Sequence, residues 1–132
     1  STALISENYA YIGGRSEELD AYILKAYDME GNHLLTFGEK GKDGDDWLAY
    51  VSQIMEIPEG FFGIDANMRD LYIWGPDASV LGSVEAPDLF GARYAWIAGA
   101  AKQDDGSILV ALTQDRDDDS ATELLLYRLS GF

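Results

Sequence analysis

The sequence predicts an all-β fold of short antiparallel meanders. Three observations carry that reading: no segment keeps a helical apolar period over three turns, the apolar residues come in short runs rich in Tyr, Ile, Leu, Val, Trp and Phe, and turn formers punctuate those runs. Taken in order, strands are expected at 9–12, 21–27, 34–37, 48–57, 61–64, 71–74, 80–84, 94–100, 107–113 and 122–129. Asp28-Met29-Glu30-Gly31-Asn32 reverses the chain between the second and third, and Pro58-Glu59-Gly60 between the fourth and fifth. Pro76-Asp77-Ala78-Ser79 and Asp104-Asp105-Gly106 do the same for the next two hairpins. Over 47–56 a helix competes, since Trp47, Val51 and Ile54 share helical spacing. Tyr50-Val51 and Ile54-Met55 suit a buried strand, and the strand is preferred.

A chain of 132 residues, 47% of them hydrophobic, is long enough and apolar enough for one folded domain. Its 24 acids against 9 bases give a formal charge of −15, which repels a polyanion and argues against nucleic acid. Anionic membrane surfaces are disfavoured for the same reason. The longest apolar run, residues 95–101, is far short of the roughly 20 residues a spanning helix needs, so no membrane insertion is expected. The opening Ser1-Thr2-Ala3-Leu4-Ile5-Ser6 lacks the basic and apolar regions of a leader, which fits a cytosolic chain or a processed exported one. The absence of cysteine removes disulfides, thiolate zinc sites and cysteine nucleophiles. His33, the single histidine, lies in a turn, where a solvated side chain is expected; one histidine builds no multi-histidine metal site.

The hairpins repeat loosely. Leu24-Lys25-Ala26-Tyr27, Leu71-Tyr72-Ile73-Trp74 and Glu123-Leu124-Leu125-Leu126-Tyr127 each close on an aromatic, at 27, 74 and 127, in steps of 47 and 53 residues. A period of about 40–50 residues with four strands per unit marks propeller blades. The predicted fold is therefore β-propeller-like, with about three four-stranded antiparallel blades near 1–38, 39–85 and 86–132.

The middle of the chain carries a longer pattern. The stretch from Asp28 to Gly38 leads into a glycine- and acid-rich link, 39–46. After Ile57-Pro58-Glu59-Gly60-Phe61-Phe62 comes Gly63-Ile64-Asp65-Ala66-Asn67-Met68-Arg69-Asp70-Leu71-Tyr72-Ile73-Trp74, then Pro76-Asp77. Over about residues 19–84 this resembles the NHL-repeat family of six-bladed β-propellers, and the last 40 or so residues follow it in strand pattern only. Blades of that family pass through an Asp-Gly hairpin, a strand ending in Phe-Gly, a Gly-rich link and an Asp…Asn-x-Arg corner. Asp65, Asn67 and Arg69 match the corner with one residue fewer between Asp and Asn, and 114–120 takes its place in the third unit.

The resemblance implies blades that meander outward from a central axis, with the corner residues holding a loop by hydrogen bonds. Asp and Asn side chains satisfy buried turn amides locally, and Arg69 can pair with Asp65 in a planar fork. Structural duty is the preferred reading of all three, with ligand binding second. Three blades cannot close a ring, so the expectation is half of one. It would close with a second copy as a homodimer or belong to a longer chain, with Thr2-Ala3-Leu4-Ile5 free to add a strand to another unit.

Alternating strands put the loops 13–19, 38–46, 65–70, 85–93 and 114–120 on one face, with 14 of the 24 acids. Loops on a rigid scaffold are where sites are built. The ligand-binding candidates are Trp47, Asp65, Asn67, Arg69, Asp115 and Asp117. Asp43, Asp45, Asp117 and Asp119 are the candidate ligands for a hard cation, with calcium the cofactor they would suit. Neither acidic run has EF-hand spacing, and a solvated loop is the preferred reading. Trp74 and Trp96 are expected to fill the wedge between blades, whereas Trp47, beside a loop, is free to stack on a sugar or anchor a protein.

The function these features favour is a non-catalytic binding module that presents an acidic loop face to a protein or carbohydrate, in an extracellular or periplasmic rather than cytoplasmic setting. A calcium-dependent ester or lactone hydrolase of the six-bladed type is the alternative. A structural assembly domain is the third.

Overall fold

A computed structural model of the chain describes residues 1–41, 47–67, 69–90, 95–115 and 122–130. The fold is all-β and propeller-like: three antiparallel sheets, each a meander in chain order. The first sheet holds β1 (Thr2–Ile5), β2 (Ala10–Ser16), β3 (Ala21–Tyr27) and β4 (His33–Phe37). The second holds β5 (Val51–Ile57), β6 (Gly60–Asp65), β7 (Asp70–Trp74) and β8 (Val80–Glu85). A short helix, α1 (Ala86–Phe90), leads to the third, with β9 (Ala95–Lys102), β10 (Ile108–Asp115) and β11 (Thr122–Leu129).

Local chemistry explains the meander. Three of its turns share one plan, in which an aspartate accepts from backbone and side-chain donors further along the turn and the fourth turn residue takes a positive φ. Asp28 accepts from the amides of Glu30 and Asn32, both at 2.9 Å. Asp77 accepts from the Ser79 amide at 3.1 Å and its hydroxyl at 2.6 Å, and Asp105 from the same groups of Ser107 at 2.9 and 2.5 Å. Gly31, Ala78 and Gly106 hold the positive φ in the three turns.

Two apolar layers separate the sheets. Tyr11, Leu24, Ala26 and Phe37 of the first sheet meet Val51, Phe61, Tyr72 and Trp74 of the second. On its other side the second sheet packs Ile57, Phe62, Ile64 and Leu71 against Ile108, Val110 and Leu112 of the third. The middle sheet is thus covered on both faces, and β6 is buried along nearly its whole length, as a strand flanked by two layers must be. By contrast, β11 alternates between half-buried and exposed side chains from Glu123 onward, which is the pattern of a sheet covered on one side.

The sheets come nearest to each other at their first strands, where β1 lies beside β5 and β5 beside β9. They radiate outward from there, as blades do. Side chains tie this inner region together. Gln53 accepts from the Ala100 amide at 2.9 Å and donates to the Ala100 carbonyl, so one side chain caps both backbone groups of a residue on β9. The Glu56 carboxylate accepts from the Ser6 hydroxyl at 3.0 Å, the Asn8 amide at 3.0 Å and the Asn8 side chain at 2.8 Å, while Lys102 donates to the Glu56 carbonyl at 3.0 Å. Burial alone would raise the Glu56 carboxyl, but the Asn8 and Ser6 donors, with Lys102 nearby, hold it below its usual range.

Four expectations are corrected. Thr2–Ile5 serves its own sheet, pairing with β2 in the register Thr2↔Gly13 to Ile5↔Ala10. The strand β2 runs on through Gly13 and Gly14, which read as loop in the sequence, because the Tyr22 side chain folds over Gly13 and a Cβ there would collide with its hydroxyl. Residues 86–90 form a helix turn begun by Pro87 near its first position, where a missing N–H costs nothing. Trp96 is 52% exposed rather than wedged between sheets. The preferred strand at 48–57 is observed as β5, without the competing helix.

Candidate functional site

Because the strands alternate, the connections after β2, β4, β6, β8 and β10 leave from one end of the molecule, opposite the short turns. The described acids Glu17, Glu18, Asp20, Glu39, Asp65, Asp70, Glu85, Asp88 and Asp115 belong to those connections or their flanking residues, with Arg15, Lys40 and Arg69 as the bases.

The corner predicted from Asp65, Asn67 and Arg69 divides into three roles. Asp65, 0% exposed at the end of β6, accepts from the backbone amides of Ala49 at 2.6 Å, Tyr50 at 3.2 Å and Asn67 at 3.1 Å. It fastens the segment before β5 to the β6–β7 turn, and its burial leaves no surface for a ligand. The amides that need its carboxylate are the reason an acid stands there. Asn67 is exposed and contributes its backbone N–H to the same corner. Arg69 adopts φ 56° and sends its guanidinium 5.2 Å from the centre of the Trp96 ring, while its carbonyl accepts from Ala86 at 2.8 Å. One residue thereby links the second sheet to the helix and the third sheet.

Asp70 was not singled out by sequence. Strand register sets it between Asp65 and Glu85, so three acids share a row. Burial, then the charges of Glu85 and Asp65, push its carboxyl up to about 6, with Arg69 pulling the other way. Its folded value lies above its unfolded one, so the stability it contributes is complete below about pH 4 and is lost as pH rises through 6. Discounted for partial solvation, Asp70→Asn is expected to stabilise the protein at pH 7 by about 1 kcal/mol and to flatten that loss. Urea melts of both proteins at pH 4 and pH 7 check it; equal stabilities at both would refute it.

Trp47 is 44% exposed and Tyr50 39%, and with Trp96 they are the aromatic side chains more than a third exposed among the described residues. All three stand just before or at the start of an inner strand, on the long-connection end. Beside Trp47 lies an open groove of about 420 Å³ lined by Arg15, Asp20, Ala21, Tyr22, Leu48 and Ala49. The Tyr72 hydroxyl donates to the Trp47 carbonyl at 3.4 Å, and Leu48 bridges to Tyr22, so the backbone under Trp47 is held.

Asp43, Asp45, Asp117 and Asp119 lie outside the described residues. Asp115 ends β10, paired in backbone register with Thr122. Among the described residues no three His, Asp or Glu side chains converge as a metal site. The arrangement offers stacking surfaces set among carboxylates, with the buried Asp65 committed to backbone. In comparisons with known proteins, no family model and no curated protein matches the chain.

Proposed function

We propose that the chain is a non-catalytic binding module that presents its acidic long-connection end to a protein or carbohydrate partner. One observation carries the reading: Trp47, Tyr50 and Trp96 gather their exposed rings at the end where the acids also gather. Aromatic rings supply contact area at low entropic cost and stack on sugar faces, and such residues dominate binding surfaces. The backbone at Trp47 and Tyr50 is fixed by Tyr72 and Asp65, so that part of the surface is preorganised. The resemblance to NHL-repeat blades supports the same conclusion by analogy of fold, and an extracellular or periplasmic setting goes with it.

The test is an array of glycans and peptides probed with the native chain and with Trp47→Ala and Trp96→Ala. Each variant is expected to lose about tenfold or more in affinity for whatever the native chain retains, with the circular dichroism spectrum unchanged. Binding that survives both substitutions would place the interface elsewhere.

A further inference from the structure

The second sheet is covered on both faces, whereas the first and third are each covered on one. In the first sheet the core residues Tyr11, Leu24 and Ala26 take one face, and the opposite face carries Ile5, 78% exposed, and Ile12, 57% exposed, with Ile23 alongside. In the third sheet Val110 and Leu112 face inward, and the opposite face carries Leu124, 68% exposed, and Leu126, 61% exposed.

Apart from the Asp115–Thr122 row that ends β10, the described rows of both open faces hold no acid, in a chain that has 24. The rows Ala3–Ile12–Lys25 and Ile5–Ala10–Tyr27 hold no Asp or Glu, nor do the rows Leu109–Arg128, Ala111–Leu126 and Thr113–Leu124. Each face holds one base, Lys25 or Arg128, the latter 3.4 Å from Asp105. Loss of charge from an apolar surface is the compositional mark of an interface centre, and exposed apolar sheet faces do not stay uncovered without cost.

We propose that a second copy of this chain covers both faces, the outer face of the first sheet in each copy packing on the outer face of the third sheet in the other. Such a junction continues the sheet-on-sheet stacking already present twice within the chain, and two of them about a twofold axis close a ring of six sheets. The area suffices. A four-stranded face six residues long measures about 19 by 20 Å, roughly 400 Å². The three-stranded face of the third sheet, about 14 Å wide, adds roughly 300 Å², so the two faces give about 700 Å² per partner, within the range of standard stable interfaces.

Sedimentation equilibrium of the 132-residue chain at micromolar concentrations tests the proposal, with twice the chain mass expected. A closed dimer also melts at a temperature that rises with chain concentration, which needs no variant to observe. Ile12→Asp and Leu126→Lys alter exposed positions on opposite faces. Each alone is expected to weaken association at least about tenfold, since both junctions of its dimer are damaged. An equimolar mixture is expected to recover dimer, because the mixed pair keeps one junction intact. A single-chain mass with a concentration-independent melt overturns the proposal and leaves the faces to other blades or another protein. Open polymers, or a mixture that recovers nothing, overturn the front-to-back closure.

Discussion

Trp74→Ala is expected to destabilise the protein by about 4 kcal/mol, the upper range for truncating a buried aromatic. The indole is 0% exposed and sits where the first two sheets meet. It stacks on Tyr72 at 5.1 Å with planes 4° apart, and meets the edge of Phe37 at 4.9 Å. It also lies against Gly63, where a Cβ would collide with the ring, so the backbone has been cleared for it. Alanine leaves a cavity that the paired strands around it cannot close. Trp74→Phe separates volume from polarity. The buried indole N–H has no acceptor among the described residues, so phenylalanine removes an unsatisfied donor while keeping most of the contact, and a cost under about 1.5 kcal/mol is expected. Urea unfolding of the three proteins, read as midpoints at unchanged slope, measures both. An alanine cost under 1 kcal/mol would show that the intersheet layer is not the stability core.

The second large effect is at Asp65. Truncation to alanine strands the amides of Ala49, Tyr50 and Asn67, and an abandoned buried donor costs about 1–3 kcal/mol, so roughly 3–5 kcal/mol in all is expected. Asp65→Asn keeps an acceptor oxygen and removes a charge, and should cost about half as much. The two variants differ further at Asp70, whose carboxyl is held up partly by the Asp65 charge. In Asp65→Asn the Asp70 titration, followed by NMR, is expected to move down from about 6 toward the ordinary carboxylate range. Amide exchange at residues 47–50 should rise in Asp65→Ala before any global unfolding. An alanine variant as stable as native, with those amides still protected, would remove the corner's structural role.

The strands and hairpins were legible because they rest on neighbours in sequence. Asp28, Asp77 and Asp105 each act within four residues, and the apolar runs they separate became the strands. Asp65 was legible as a corner acid for the same reason, since a buried turn needs an acceptor. Its partners Ala49 and Tyr50, 16 and 15 residues away, were not. Glu56 and Gln53 were missed altogether: their partners lie 46 to 50 residues away, and a lone polar residue on an apolar strand carries no mark of what it will meet. Trp96 misled because a tryptophan in a strand reads as core, and the Arg69 guanidinium that its ring meets lies 27 residues away in sequence. Asp70 needed strand register, which set it between two other acids, and periodicity does not give register across 15 residues.

The Gln53 clasp on Ala100 makes the spacing of the two inner strands indifferent to the residue it grips. It engages the peptide groups alone, so position 100 is free to drift among side chains that fit, whereas position 53 is confined to an amide of that reach. Neighbouring blades held in this way can diverge in sequence without losing step, since the fastening asks for a carbonyl and an N–H that nearly every residue supplies.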